Sequence, residues 1–120
     1  MNLVVITADD LSFFTLGFAG IFPDRTPHIN QLAQKGYAFS NAHCNIPFCQ
    51  PSRSVLFTGK YPQNNGSTGF NPILNGISTL SSILGKNGYQ TAIIGKEWHH
   101  KPVHVYNWDH IFKNKVDLIY

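Results

Sequence analysis

A continuous β-branched and apolar run, Leu3 to Ala8, opens the chain and stops at the carboxylates of Asp9 and Asp10. A β-branched run of this length without polar alternation predicts a strand buried on both faces. A Gly- and Phe-rich loop follows through Pro23. Thr26-Pro27 reads as a helix cap followed by proline at the first helical position. Ile29, Leu32 and Ala33 then recur at helical spacing, and Gly36 is the natural stop. Tyr37 to Ala42 alternates weakly, as a second strand would, and Asn45 to Pro51, with two prolines, is loop. From Pro51 onward PSRSVLFTGK predicts a short helix ending near Gly59. Residues 61–77, rich in Pro, Asn and Gly, read as irregular surface chain. Ser78 or Thr79 caps a third helix that carries Leu80, Ile83 and Leu84 on one face and closes at Gly88. Gln90 to Ile94 predicts another buried strand, ending at Gly95-Lys96 before a loop with His and Trp. Trp108 and the basic residues Lys113 and Lys115 read as a partly solvated tail.

The resulting order of strands and helices is an α/β layout with helices packed on a mainly parallel sheet. Two or three strands are few for such a sheet, where about five or six are usual. The expectation is therefore an incomplete domain.

Composition narrows the classes. With 42% hydrophobic and 12% charged residues in 120, the chain has a core to build and is not a disordered segment. The nine Lys and Arg that give a formal charge of +3 are scattered, which argues against a nucleic-acid partner. No apolar run approaches the ~18 residues of a membrane span, so no membrane is expected. The start at Met1 lacks the basic opening of a secretory signal. Location stays open between a cytoplasmic chain and an exported one without its leader. Cys44 and Cys49, five apart, match no zinc ligand set; a local disulfide fits the spacing.

Polar groups fall where open α/β sheets bind ligands, at the carboxyl ends of strands. Asp9 and Asp10 follow the first strand, and Lys96, His99 and His100 follow the last. A bend can turn two adjacent carboxylates toward one hard cation, Ca²⁺ or Mg²⁺. Cys49 lies next to a helix start, where the dipole favours anions, and Arg53 one turn on can hydrogen-bond an oxyanion. Taken singly, each has an ordinary reading as a solvated turn, an inert thiol, a surface cation or loop packing beside Trp98.

Together they form a pattern. Cys49-Gln50-Pro51-Ser52-Arg53, continuing through Leu56 to Thr58-Gly59-Lys60, resembles the sulfatase signature C-x-P-S-R with its T-G-R/K ending. The VVITADD stretch is similar to that family's first strand and metal-binding Asp pair. Thr26-Pro27-His28-Ile29 resembles its T-P-N/H-I/L helix, and Ile93 to Lys96 its G-K segment. Residues from Ser78 to Pro102, with Trp108-Asp109, look like the N-sulfoglucosamine sulfohydrolase branch, which acts on heparan-type chains.

The resemblance implies an alkaline-phosphatase-like α/β sandwich, of which residues 1–120 would be the amino-terminal part. It implies that a maturation enzyme oxidises Cys49 to formylglycine, whose hydrated form attacks the sulfur of a sulfate ester or N-sulfate, on a sulfated small molecule or glycan. Asp9, Asp10 and the modified Cys49 would bind Ca²⁺, or Mg²⁺ in its place. Arg53 would stabilise the oxyanion, and Lys96 would contact the sulfate oxygens. A histidine would orient or protonate the diol. Where many relatives read G-K-W-H, this chain has Gly95-Lys96-Glu97-Trp98-His99, which favours His99 and leaves His100 open. The remaining metal ligands are not visible, so the isolated chain is expected to be inactive. Two alternatives share the signature: a phosphodiesterase or phosphonate monoester hydrolase of the same superfamily, and a non-catalytic truncated homologue.

Overall fold

The structure, a computed structural model, describes residues 1–113 and divides into two compact units, residues 1–43 and the chain from Cys44 onward.

In the first unit the only long element is α1, Pro27–Lys35, preceded by 3-10 turns at Phe13–Thr15 and Gly17–Ala19. Thr26 occupies the cap position, but in a left-handed conformation (φ 52°) and without capping the helix through its side chain. Its hydroxyl oxygen instead accepts the Gly17 N–H (3.0 Å). Asn30 donates to the carbonyls of Pro23 and Arg25, both at 3.0 Å, tying the loop onto α1. Gly17 is buried in this knot; a Cβ there would collide with the Arg25 carbonyl and the Asn30 amide.

The expected strand at residues 3–8 does not form. The stretch takes no regular secondary structure, and Val4 (77%) and Ile6 (85%) are exposed. A parallel strand exists through its ladder, and among the described residues no strand lies beside this one. Tyr37 to Ala42 likewise stays outside any sheet.

The second unit contains α2 (Cys49–Thr58), α3 (Pro62–Asn65), α4 (Leu80–Lys86), β1 (Ala92–Ile94), α5 (Val103–Tyr106) and β2 (His110–Phe112). Strands β1 and β2 pair in parallel, with Ala92 opposite His110 and Ile94 opposite Phe112. The parallel pairing and the flanking helices agree with the α/β reading, on a sheet of two strands among the described residues. Asp109 anchors the pair, its carboxylate accepting the Thr91 N–H (2.7 Å) and hydroxyl (2.9 Å). Those bonds hold the Asp109 carboxyl below its ordinary range.

Helix α2 starts two residues earlier than expected. Phe48 is extended and its carbonyl accepts the Ser52 N–H (2.9 Å), which makes Cys49 the first helical residue. Pro51 fits because the first-turn N–H groups have no acceptor within the helix. Gly59, left-handed at φ 63°, ends it by donating to the Val55 carbonyl (2.8 Å). For α4 the open choice of cap falls to Thr79. Its hydroxyl accepts the Ser82 N–H (3.2 Å), and Ser82 in return accepts the Thr79 N–H (2.8 Å), a complete capping box.

Residues 61–77 are largely exposed, as expected of surface chain, but the segment is pinned at four buried positions. Pro62, Asn65, Ser67 and Ile73 are buried, and Asn65 explains why. It donates to the Lys60 carbonyl (3.1 Å) and accepts the Ser67 N–H (2.8 Å), so polar composition serves the backbone's own hydrogen bonding. The segment around Trp108 is partly solvated, as expected, with Lys113 exposed, but Trp108 itself is held in a cluster. With Phe57, His100 and Tyr106 it forms an aromatic cluster whose centroids lie 4.7–6.2 Å apart, and its Nε1 is buried. Lys115 lies outside the described residues.

Candidate active site

Cys49 is half-buried at the start of α2, and the side chains of Arg53 and His99 both reach its sulfur. Arg53 lies one helical turn on, where residues four apart face each other, and its Nε donates to Sγ (3.4 Å). His99 comes from the other end of the unit, with Nδ1 3.2 Å from Sγ. Neither Cys49 nor Cys44 is in a disulfide.

The loop after β1 makes that approach. Gly95 (φ 72°) and Lys96 (φ 26°) both adopt positive φ, turning the chain into the 3-10 turn Glu97–His99. Lys96 holds this conformation without glycine's freedom, a strain of roughly 1–3 kcal/mol that the surrounding packing has to offset. The sequential neighbours His99 and His100 then part. His99 reaches Cys49, and its ring lies beside Phe70 (5.7 Å) and Trp98 (5.8 Å). His100 is buried in the aromatic cluster, its Nδ1 without a hydrogen-bond partner.

The field around His99 is positive. Its pKa is lowered first by burial and then by the charges of Lys96, Arg53 and Lys101, so the imidazole is neutral at neutral pH. His100 is pushed down to about 4, by burial first and then by Arg53 and His99. A sulfur flanked by a neutral imidazole nitrogen and a guanidinium N–H, at the positive end of a helix, suits a nucleophile or an oxyanion.

Of the expected site residues, the structure brings Cys49, Arg53 and His99 into contact and sets Lys96 within electrostatic reach of His99. Asp9 and Asp10 lie in the first unit, in an exposed bend after Ala8, Asp10 left-handed at φ 54°. Their carboxylates are the right kind of donor for a hard cation but two of the about six it needs. Among the described residues no three His, Cys, Asp or Glu side chains gather as a metal site.

Sequence reasoning passed over several residues here. Gln50, the variable position of the signature, is buried and donates to the Asn71 carbonyl (2.6 Å), clamping the first turn of α2 to the loop that carries Phe70. Phe48 packs on Phe70 at 4.6 Å. Lys101 adds charge, and Glu97 buries an oxygen, Oε2, without a hydrogen-bond partner. Nothing in local spacing marks Gln50 or Phe48, because each acts through a contact about twenty residues away in the chain.

Comparison with known proteins places this site in context. The family model described as Sulfatase matches residues 1–115. A sulfatase of Formosa agariphila is 38% identical over 71 residues, covering 59% of this chain and 14% of that protein. An N-acetylgalactosamine-6-O-sulfatase of Bacteroides thetaiotaomicron is 41% identical over 71 residues, again 59% and 14%. Human arylsulfatase A is 40% identical over 65 residues, 54% of this chain and 13% of its own length. The chain thus spans a small fraction of the curated relatives it matches. No solved structure matches it significantly.

Proposed function

The chain belongs to the sulfatase family, and from that premise we propose that it is the amino-terminal part of an alkaline-phosphatase-like catalytic domain that hydrolyses sulfate esters or N-sulfates of carbohydrates. The observation that supports this most is the sulfur of Cys49 held between His99 Nδ1 and Arg53 Nε.

In this reading a maturation enzyme converts Cys49 to formylglycine. The hydrated aldehyde supplies an oxygen nucleophile and a second hydroxyl through which sulfate can be expelled. Arg53, already donating to the side chain of residue 49, stabilises negative charge there through its planar fork. His99, neutral and within hydrogen-bond reach, orients that side chain and handles its proton. Lys96 faces the sulfate oxygens, and Lys101 adds to the field that draws an anion in. Asp9 and Asp10 would be oxygen ligands to Ca²⁺, or to Mg²⁺.

Hydrolysis of an aryl sulfate against an aryl phosphodiester by the whole protein tests the reaction class. The reading expects the sulfate to be the better substrate by kcat/KM. A preference for the phosphodiester would assign the site to phosphoryl chemistry, and no turnover of either, with a native fold, to a non-catalytic homologue.

A further inference from the structure

Three exposed aromatic side chains adjoin the Cys49–His99 pair: Phe48 precedes Cys49, Trp98 precedes His99, and Phe70 lies against the His99 ring. Phe70 is 64% exposed, Phe48 45% and Trp98 39%. Phe48 and Phe70 meet edge to face at 4.6 Å, Phe70 and Trp98 flank the His99 ring at 5.7 and 5.8 Å, and His99 touches the Cys49 sulfur. Single exposed aromatics are ordinary; an exposed group continuous with a reactive side chain is the usual make-up of a ligand wall. The backing is rigid, since Gln50 ties the first turn of α2 to the Asn71 carbonyl beside Phe70. The cations of the same loop, Lys96 and Lys101, act on His99.

An apolar wall beside a cationic centre fits a ligand with an apolar ring face and an anionic group on its rim. A pyranose offers such a face through its axial C–H bonds. We propose that Phe48, Phe70 and Trp98 form a stacking subsite for the pyranose ring of an acidic sugar whose sulfate sits at residue 49. This rests on the sulfate-binding reading above and adds to it the residues that select the ring.

The test is calorimetric titration of the whole protein, produced without maturation so that Cys49 keeps its thiol and no turnover intervenes. The probes are inorganic sulfate, glucose 6-sulfate and glucose. Glucose 6-sulfate is expected to bind about tenfold tighter than sulfate, the scale of a well-placed aromatic contact. Phe70→Ala should bring it down to the sulfate level while leaving sulfate affinity unchanged, which also reports that the variant is folded; Phe70→Tyr should retain the preference. Equal affinity for the two anions in the native protein overturns the subsite and leaves the sulfate reading standing. So does an equal loss for both anions in Phe70→Ala, which would make Phe70 a support of His99. Absence of binding by either anion overturns both.

Discussion

The imidazole of His99 meets the sulfur of Cys49, Nδ1 to Sγ at 3.2 Å, across fifty positions of sequence. The adjacent His100 points into the Phe57, Tyr106 and Trp108 cluster. The two substitutions should therefore separate. His99→Ala is expected to lower kcat by about 10²–10⁴, the usual size of a general acid–base contribution. His100→Phe, which keeps a ring in the cluster, should leave kcat within a few-fold of native. Steady-state kinetics on an aryl sulfate decides, and the reverse ranking would move the proton-handling role to His100.

Arg53 reaches the sulfur through Nε, a donor that lysine lacks at that position of its side chain. Arg53→Lys should cost about tenfold to a thousandfold in kcat with little change in melting temperature, because the charge survives and the directed N–H does not. A variant with near-native kcat would show that charge alone suffices.

Stability should depend on pH through His100, whose pKa is about 4 in the fold because burial, then Arg53 and His99, disfavour its charged form. In the unfolded chain it returns to about 6.5, so between these values the unfolded state binds the extra proton. The contribution is complete above pH ~6.5 and lost as pH falls toward 4, a total of about 3 kcal/mol. Urea midpoints at pH 7 and 4.5 should differ clearly for the native protein and much less for His100→Phe. Parallel behaviour of the two would place the acid sensitivity elsewhere.

Gly66 has φ 86°, and an added Cβ would come within 2.7 Å of Leu74 Cγ. Gly66→Ala should destabilise by more than ~1 kcal/mol, combining left-handed strain with a clash. Gly76 has a similar φ of 80° with open space around it, so Gly76→Ala should cost less. Thermal melts of both compare conformation alone with conformation plus packing.

What the sequence revealed was local. Helix α1, the Gly59 stop and the strand at Ala92–Ile94, which is largely exposed rather than buried, follow from periodicity and turn chemistry within a few residues. Cys49, Arg53 and the two histidines were singled out by local chemistry but joined into one site only by the resemblance, and the choice between His99 and His100 stayed open because both follow the same strand end. Spacing cannot show that a φ of 26° at Lys96 turns one histidine outward and the other in. Strand β2 was missed because His110–Phe112 is short and gains its identity from pairing with β1. Residues 3–8 failed for the converse reason, a strong strand pattern with no strand beside it among the described residues. The buried Asn65 and Gln50 were passed over since polar residues are counted as surface until their partners are known.

In the proposed reading residue 49 acts through the hydrated aldehyde that replaces its thiol. Peptide mass spectrometry of the catalytically active protein is the decisive measurement. The peptide containing residue 49 is expected to carry one oxygen in place of sulfur and two hydrogens. An intact Cys49 thiol throughout a preparation that hydrolyses sulfate esters at full rate would rule this chemistry out.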